Sequence, residues 1–161
     1  MTSQLEKALE MARLLMAPWQ TGFATPAPDR LDVALPPEDL LHAVELLIQA
    51  RWGYLSTITG LDLAPAENAL ELLYHFSHGA AVLTLRIKLP HENPAIASVD
   101  RFSFIASVYE REIREMLGVE FHGMRDTSRL FLPDEWPDGQ YPLRKAWSRA
   151  ALESVAEPQG D

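Results

Sequence analysis

The sequence contains no cysteine, and this absence excludes several kinds of chemistry. Disulfide bonds, thiolate-held zinc and iron–sulfur clusters ligated by this chain's own cysteines all require that residue. Long apolar runs are missing as well, so we expect no membrane-spanning segment. The first residues show no basic start followed by an apolar block, and we expect mature protein there rather than a signal peptide.

Positive charge is scarce, with 14 Lys and Arg against 23 Asp and Glu and a net charge of -9. A net negative charge disfavours nonspecific binding to the negatively charged backbone of nucleic acid, and we predict no nucleic-acid partner. The basic residues are unevenly placed, since residues 101–161 hold eight of the 14. Seven of those eight are arginines, which suit interfacial ion pairs better than lysines do.

Recognisable catalytic motifs are missing too. The sequence has no HExxH, no Gly-rich phosphate loop and no GxSxG. His75 and His78 are three apart in a strand pattern and point to opposite faces, which is a poor metal geometry. We therefore predict neither a catalytic nor a metal site, although an autonomous small enzyme using carboxylates near Glu112 stays open as an alternative.

The patterns that are present alternate between helix and strand. Residues 3–16 and 36–53 have apolar side chains at helical spacing, and Gly53 is expected to close the second helix. Strand patterns cover 30–35, 54–63, 69–77 and 80–89, the last two forming a predicted hairpin. The predicted buried face of the second helix consists of Leu40, Leu41, Val44, Leu47 and Ile48.

A charged helix over about 101–117 follows, and a short strand is expected around 119–121. This order predicts an α+β fold, with a small mixed or antiparallel sheet packed with helices and then an extended irregular C-terminal tail. We divide the chain into an α+β domain over residues 1–124 and an extended partner-binding tail over residues 125–161.

The charged helix lies within YEREIREMLGVEFHG, residues 109–123. A helical wheel started at Phe102 places Glu110, Arg111, Arg114 and Glu115 opposite the apolar stripe. The spacing predicts exposed ion pairs Glu110–Arg114 and Arg111–Glu115, each contributing about 0.3–0.5 kcal/mol. The predicted apolar stripe consists of Phe102, Ile105, Tyr109, Ile113 and Met116.

Glu112 falls beside that stripe, where an unpaired carboxylate is costly. We hypothesise that the tail folds back and that one of its arginines meets Glu112 or Glu110. The tail is also rich in aromatic and apolar residues, a composition typical of an interface or of a loop packed on its own domain. Composition alone favours neither. The arginines in question are Arg125, Arg129 and Arg144.

The stretch from YEREIREMLGVEFHG to RLFLPDEWPDGQYPLRK resembles the signature of the 30 kDa subunit of respiratory complex I (NADH:quinone oxidoreductase). The same domain occurs in related membrane-bound nickel–iron hydrogenases. The matching positions are Glu110, Arg111, Glu112, Met116, Gly118, Val119, Phe121, Gly123, Asp126, Arg129, Leu132, Pro133, Trp136, Pro142, Leu143, Arg144 and Lys145. Glu115 stands where the family usually has Asp, and Ala146 where an Asp usually follows the final lysine.

The resemblance implies a non-catalytic subunit of the peripheral arm of a membrane-associated, ion-translocating oxidoreductase, on the cytoplasmic side of the membrane. Such a subunit binds no cofactor. It packs against a large catalytic subunit and near a small iron–sulfur subunit, which hold the iron–sulfur clusters and, in the hydrogenase branch, the nickel–iron site. The motif leaves the hydrogenase and quinone-reductase branches open.

The resemblance further implies that the charged helix and the tail hold the partner, with Gly118 stopping the helix in a left-handed backbone conformation. The alternative is a stand-alone protein-interaction module outside any redox complex. The predicted partner-binding or structural residues are Glu110, Arg111, Glu112, Gly118, Arg129, Trp136, Arg144 and Lys145.

Overall fold

Three helices and seven strands occupy residues 3–148, the part of the chain that the computed structural model describes. Residues 149–161 of the predicted tail lie outside the described residues. The elements are α1 (Gln4–Met16), β1 (Gly22–Ala24), β2 (Arg30–Ala34), α2 (Leu40–Gln49) preceded by a 3-10 turn (Pro37–Asp39), β3 (Tyr54–Asp62), β4 (Ala69–His78), β5 (Ala81–Pro90), β6 (Ala95–Ala97), α3 (Phe104–Leu117) and β7 (Glu120–His122).

Five strands form one mixed sheet in the order β1-β2-β5-β4-β3. β3, β4 and β5 are antiparallel neighbours, whereas β2 pairs with β5 in parallel. Alternate residues of β4 and β5 are buried on one face, because the register pairs Leu72 with Ile87 and Tyr74 with Leu85. The predicted hairpin and the predicted α+β class are confirmed.

All three helices cover that buried face. Trp52, just after α2, is buried, and its Nε1 donates a hydrogen bond to the carbonyl oxygen of Ala8 in α1 at 2.9 Å. α3 crosses β3 at Gly60, where a Cβ would lie 2.4 Å from Cδ1 of Leu117. The missing side chain of Gly60 therefore allows α3 to approach the sheet closely.

The opposite face of the sheet carries an ion-pair network. Arg86 donates to Glu71 through Nε at 2.9 Å and Nη2 at 2.8 Å, and to Asp32 through Nη1 at 3.0 Å. β6 and β7 form a separate two-stranded parallel sheet beside α3. Within residues 3–148, no helix is both long and apolar enough to cross a bilayer.

Several predicted boundaries are wrong. α2 ends at Gln49 rather than at Gly53, because Arg51 already adopts a φ of 52°. Ile48, predicted to be buried, is exposed on the flank of this shorter helix. α3 begins at Phe104 rather than near 101, since Ser103 is extended. The sequence does not predict β1 and β6, because three-residue strands have little local signal and depend on their pairing partners.

Candidate functional site on the third helix and the tail segment

Glu110 of α3 is buried with 0% of its surface exposed, so the predicted surface pair with Arg114 is wrong. Its carboxylate accepts hydrogen bonds from Ser98 Oγ and from the backbone N–H of Val99 at 2.7 Å. The predicted apolar stripe is displaced from the observed one, because two of its members were chosen wrongly: Phe102 precedes the helix and Ile105 is exposed. The observed buried positions of α3 are Ala106, Glu110, Ile113, Glu115 and Leu117.

Burial raises the pKa of Glu110 to about 7, against the opposing effect of its two hydrogen bonds, and the charge of Asp100 adds to the rise. Within residues 3–148, no cationic side chain pairs with Glu110. The hydroxyl of Tyr74 is buried and has no hydrogen-bond partner among residues 3–148. Burial, together with the charge of Glu110, raises the pKa of Tyr74. Glu110 is therefore divided between its protonated and ionised forms near neutral pH.

We call residues 125–148 the tail segment, and the arginines of α3 hold its first part. Arg111 donates to the carbonyl oxygens of Ser128 at 2.9 Å and Arg129 at 2.8 Å, and it forms an ion pair with Asp126 at 3.2 Å. Arg114 donates to the carbonyl oxygen of Thr127 at 2.7 Å. The predicted Arg111–Glu115 pair is therefore wrong, because Arg111 bonds to Asp126 and to backbone carbonyls of the tail segment instead.

Glu115 is nearly buried and binds the next part of the tail segment. Its carboxylate accepts hydrogen bonds from three successive backbone N–H groups, those of Leu130, Phe131 and Leu132. Burial acts to raise the pKa of Glu115, but the three backbone bonds outweigh it and leave the pKa below its usual value. A single side chain of α3 thus fixes three residues of an irregular loop.

The end of the tail segment is attached to the C-terminus of α3. Arg144 donates to the carbonyl oxygens of Leu117 at 2.8 Å and His91 at 2.9 Å. Leu143 N–H donates to the carbonyl oxygen of Met116 at 3.0 Å. A cation bonded to the last carbonyls of a helix stabilises its negative end.

Lys145 is bonded at the end of β3. Its backbone N–H donates to Asp62 at 2.9 Å, and its Nζ donates to the carbonyl oxygen of Ala64 at 2.7 Å. His91 Nε2 lies 3.1 Å from the other oxygen of Asp62. Burial acts to raise the pKa of Asp62, but the hydrogen bonds from Ala64 and Lys145 outweigh it and lower the pKa.

Arg129 and Trp136 shape the loop between these attachments. Arg129 Nη2 donates to the carbonyl oxygen of Trp136 at 2.8 Å, and Trp136 Nε1 donates to that of Gln140 at 2.8 Å. The rings of Trp136 and Trp147 are stacked, with centroids 6.2 Å apart. Both predicted residues therefore make contacts within this chain.

The tail segment folds back as predicted, but its arginines do not meet the predicted carboxylates. Arg125 bonds instead to the buried Asp100, whose carboxylate accepts from the Arg125 backbone N–H at 2.8 Å. Glu112 is half-buried and has no hydrogen-bond partner among residues 3–148. Sequence reasoning also missed Ser98 and Asp62, because a lone polar residue at the end of a strand carries no distinctive signal.

Gly118 ends α3 with a φ of 73°, as predicted. A Cβ at this position would lie 2.4 Å from the ring of Tyr141 in the tail segment. The glycine therefore has two functions. It permits the left-handed turn, and it leaves space for an aromatic ring that helps to hold the loop against the helix.

We expect Gly118→Ala to lower the free energy of unfolding by roughly 2–3 kcal/mol, because it combines backbone strain with displacement of Tyr141. Gly123→Ala is the matched control. Gly123 has a φ of 81°, but its missing Cβ would meet nothing within 4 Å, so it isolates the backbone cost of about 1 kcal/mol. Denaturant unfolding of both variants measures the difference, and equal losses would contradict the role assigned to Tyr141.

A cleft of about 670 Å³ lies between the tail segment, the end of α3 and β7. Phe131 and Leu143 of the segment remain exposed, although their backbone N–H groups are bonded to α3. Among residues 3–148, no group of three or more His, Asp or Glu side chains is arranged to hold a metal ion. The hydrogen-bonded backbone of the tail segment thus presents apolar side chains at the surface.

Known proteins share both the motif and the fold of this chain. A sequence model of the family described as "Respiratory-chain NADH dehydrogenase, 30 Kd subunit" matches residues 33–151. Formate hydrogenlyase subunit 5 of Escherichia coli (strain K12) is 34% identical over 130 residues, which are 79% of this chain and 22% of that protein. Membrane-bound hydrogenase subunit beta of Pyrococcus furiosus is 39% identical over 77 residues, which are 48% of this chain and 44% of that protein. The matched part is thus less than half of either relative.

A chain in the solved structure of the membrane-bound sulfane sulfur reductase, an archaeal respiratory membrane complex, has a similar fold. The two superpose with a TM-score of 0.77 at 21% identity, covering 96% of this chain and 94% of that chain. At this level of identity the likeness concerns the fold alone, and it agrees with the α+β class.

Proposed function

Because the chain belongs to the family of the 30 kDa subunit of respiratory-chain NADH dehydrogenase, we propose that it is a non-catalytic subunit of a complex-I-like, membrane-associated oxidoreductase. Relatives named as subunits of a formate hydrogenlyase and of a membrane-bound hydrogenase support membership in a multi-subunit complex of this kind. In this proposal the chain is peripheral, on the cytoplasmic side of the membrane, and the complex couples redox chemistry to ion translocation.

The proposed role is to hold a large catalytic subunit and a small iron–sulfur subunit. This role is supported mainly by the way in which side chains of α3 and of the tail segment itself fix the tail segment against the domain. The motif side chains Arg111, Glu115 and Arg144 are bonded to backbone groups of this chain, while Phe131 and Leu143 point outward. A loop that is already ordered loses little conformational entropy when a partner binds, which favours a docking role.

The lengths of the relatives support a larger neighbour. The match covers only 22% of formate hydrogenlyase subunit 5, so a domain like this one is joined there to a much longer remainder. Covalent joining keeps two parts at high effective concentration, as a permanent contact requires. We propose that a catalytic neighbour takes the corresponding place beside this domain, and that the iron–sulfur clusters and any nickel–iron site belong to the partner subunits.

Isolation of the intact complex tests this proposal. An affinity-tagged chain, expressed in its native cells, is expected to co-purify with a large subunit and an iron-containing subunit, whereas the chain alone is expected to be colourless and inactive. Metal analysis of the complex distinguishes the branches, since nickel indicates a hydrogenase and iron without nickel indicates a quinone reductase. Turnover of a substrate by the isolated chain, or recovery of the chain without partners, would contradict the proposal.

The exposed side chains of the tail segment provide a sharper test. We expect Phe131→Glu to reduce recovery of partner subunits about tenfold or more, because a charge would be desolvated at the centre of the interface. Met11→Glu is the matched control, since Met11 is an exposed apolar residue on α1, away from the tail segment. Equal recovery with the two variants, both folded by circular dichroism, would mean that the segment is not the docking surface.

A further inference from the structure

A second exposed apolar surface lies at the beginning of β3, at the opposite end of that strand from the attachment of Lys145. It consists of Ile48 at the end of α2, Tyr54 at the start of β3 and Phe104 at the start of α3, and we call it the end patch. Phe104 is 83% exposed and Tyr54 is 67% exposed. Aromatic side chains left in water on a monomer commonly mark interaction sites when they cluster around a pocket.

A pocket of about 190 Å³ opens at the end patch. Ile48 and Tyr54 line it, together with Ser103, the residue before Phe104. Its interior is apolar, formed by Leu47, Trp52 and Phe76 among others. Apolar cavities of about 150 Å³ accept a benzene-sized group and exclude water, so this pocket has room for one large apolar side chain.

Two arginines lie beside the pocket. Arg51 directly precedes Trp52 in the lining, and the guanidinium of Arg101 lies 4.4 Å from the centroid of the Phe102 ring, which also lines it. Both are exposed, and neither forms an ion pair within residues 3–148. Two unpaired cations beside an apolar pocket, in a chain with a net charge of -9, favour a partner surface with carboxylates.

We propose that the end patch is a second docking site, which takes a protein surface that inserts one apolar side chain into the pocket and places carboxylates against Arg51 and Arg101. It rests on the proposed function, since the occupant is another subunit of the same complex. The patch and the attachment of Lys145 lie at opposite ends of β3. Tyr54 and Asp62 are eight residue-to-residue steps apart along the strand, roughly 27 Å at about 3.4 Å per step. The chain would therefore bridge two neighbours.

The same features disfavour other occupants. A symmetric second copy of this chain would bring the arginines of one patch against those of the other. An anionic membrane surface is repelled by the net charge of -9 and offers no single side chain that fills a pocket. A protein surface of complementary charge meets neither objection.

The test uses the full chain, tagged and assembled in its native complex. Phe104→Glu is expected to weaken retention of one partner subunit about tenfold or more, without affecting the subunit held by the tail segment. Leu14→Glu is the matched control, because Leu14 is 66% exposed on α1 and receives the same charge. Circular dichroism and thermal unfolding establish that both variants are folded.

Hydrogen–deuterium exchange of the wild-type chain provides a second measurement that does not depend on a variant. Assembly is expected to protect amides of residues 48–54 and 101–105. The end patch is not a docking site if those amides stay unprotected in the complex and the Phe104→Glu variant retains every partner subunit. The proposed function would still stand in that case. Binding of the isolated chain to anionic lipid vesicles, or concentration-dependent dimerisation abolished by Phe104→Glu, would overturn it in favour of a membrane or a second copy.

Discussion

Replacing Glu115 with glutamine is expected to release residues 130–132 from α3 and to lower the free energy of unfolding by roughly 2–4 kcal/mol. The carboxylate accepts three backbone hydrogen bonds, from Leu130, Phe131 and Leu132. Glutamine has the same shape, but it lacks the negative charge and turns an N–H group toward at least one backbone donor. Hydrogen bonds to a charged acceptor are about twice as strong as neutral ones, so the loss is large.

Hydrogen exchange at the amides of residues 130–132 measures this release directly, and denaturant unfolding gives the change in stability. Glu112→Gln is the matched control, since it is the same substitution three residues earlier on α3 and Glu112 has no hydrogen-bond partner within residues 3–148. Unchanged protection of those amides in Glu115→Gln would show that Glu115 does not hold the tail segment. Because Phe131 is among the released residues, assembly with partner subunits should weaken in parallel.

The second large effect is a dependence of stability on pH that Glu110 produces. Burial raises its pKa from 4.5 to about 7, so the folded state binds this proton more tightly than the unfolded state does. The stability contributed is complete below the unfolded pKa and is lost as the pH rises through about 7. At about 1.4 kcal/mol per pKa unit, the stability of the wild-type chain should fall by roughly 3 kcal/mol between about pH 4.5 and pH 8.

Glu110→Gln is expected to remove this fall and to exceed the wild type in stability at about pH 8. The neutral amide resembles the protonated acid, because it accepts from Val99 N–H and donates to Ser98 Oγ without a buried charge. Thermal unfolding across this pH range measures both curves. Glu112→Gln, the control, should keep the wild-type dependence of stability on pH. If the stability of Glu110→Gln fell with pH in parallel with that of the wild type, the proton assigned to buried Glu110 would be disproved.

Two other carboxylates titrate in the opposite sense. The pKa values of Glu115 and Asp62 are lowered in the folded state, so their contribution is present above the unfolded pKa and is lost as the pH falls through the folded value. Their loss therefore falls below the ordinary pKa values of 4.5 for Glu115 and 3.8 for Asp62, whereas the effect of Glu110 appears above 4.5. The two effects can therefore be separated in one titration.

Local patterns in the sequence are sufficient for much of the fold. The alternation of residues 69–77 and 80–89 predicts the central hairpin correctly, because a half-buried strand shows its two faces in consecutive residues. Gly118 is predictable as the helix stop for a similar reason, since a left-handed residue at a helix end favours glycine regardless of tertiary contacts. The tail motif also leads correctly to the family.

The contacts of the charged helix are not predictable in the same way. Spacing along α3 pairs Arg111 with Glu115, yet Arg111 bonds to carbonyl oxygens of Ser128 and Arg129, and Glu115 bonds to N–H groups of the tail segment. Every residue has a backbone carbonyl and nearly every residue has an N–H group, so a sequence does not show which of them a side chain will meet. Partner-binding roles for the motif residues stay predictions.

The sequence by itself determined the longer helices and strands, the absence of cysteine chemistry and the family, because each depends on residue identity or on spacing over a few positions. Tertiary structure decided that Glu110 is buried, that Glu115 is a backbone anchor, and that Phe104 and Phe131 face outward at two separate surfaces. Burial and hydrogen-bond partners depend on segments distant in sequence, and the fold brings those together only when the sheet, α3 and the tail segment pack.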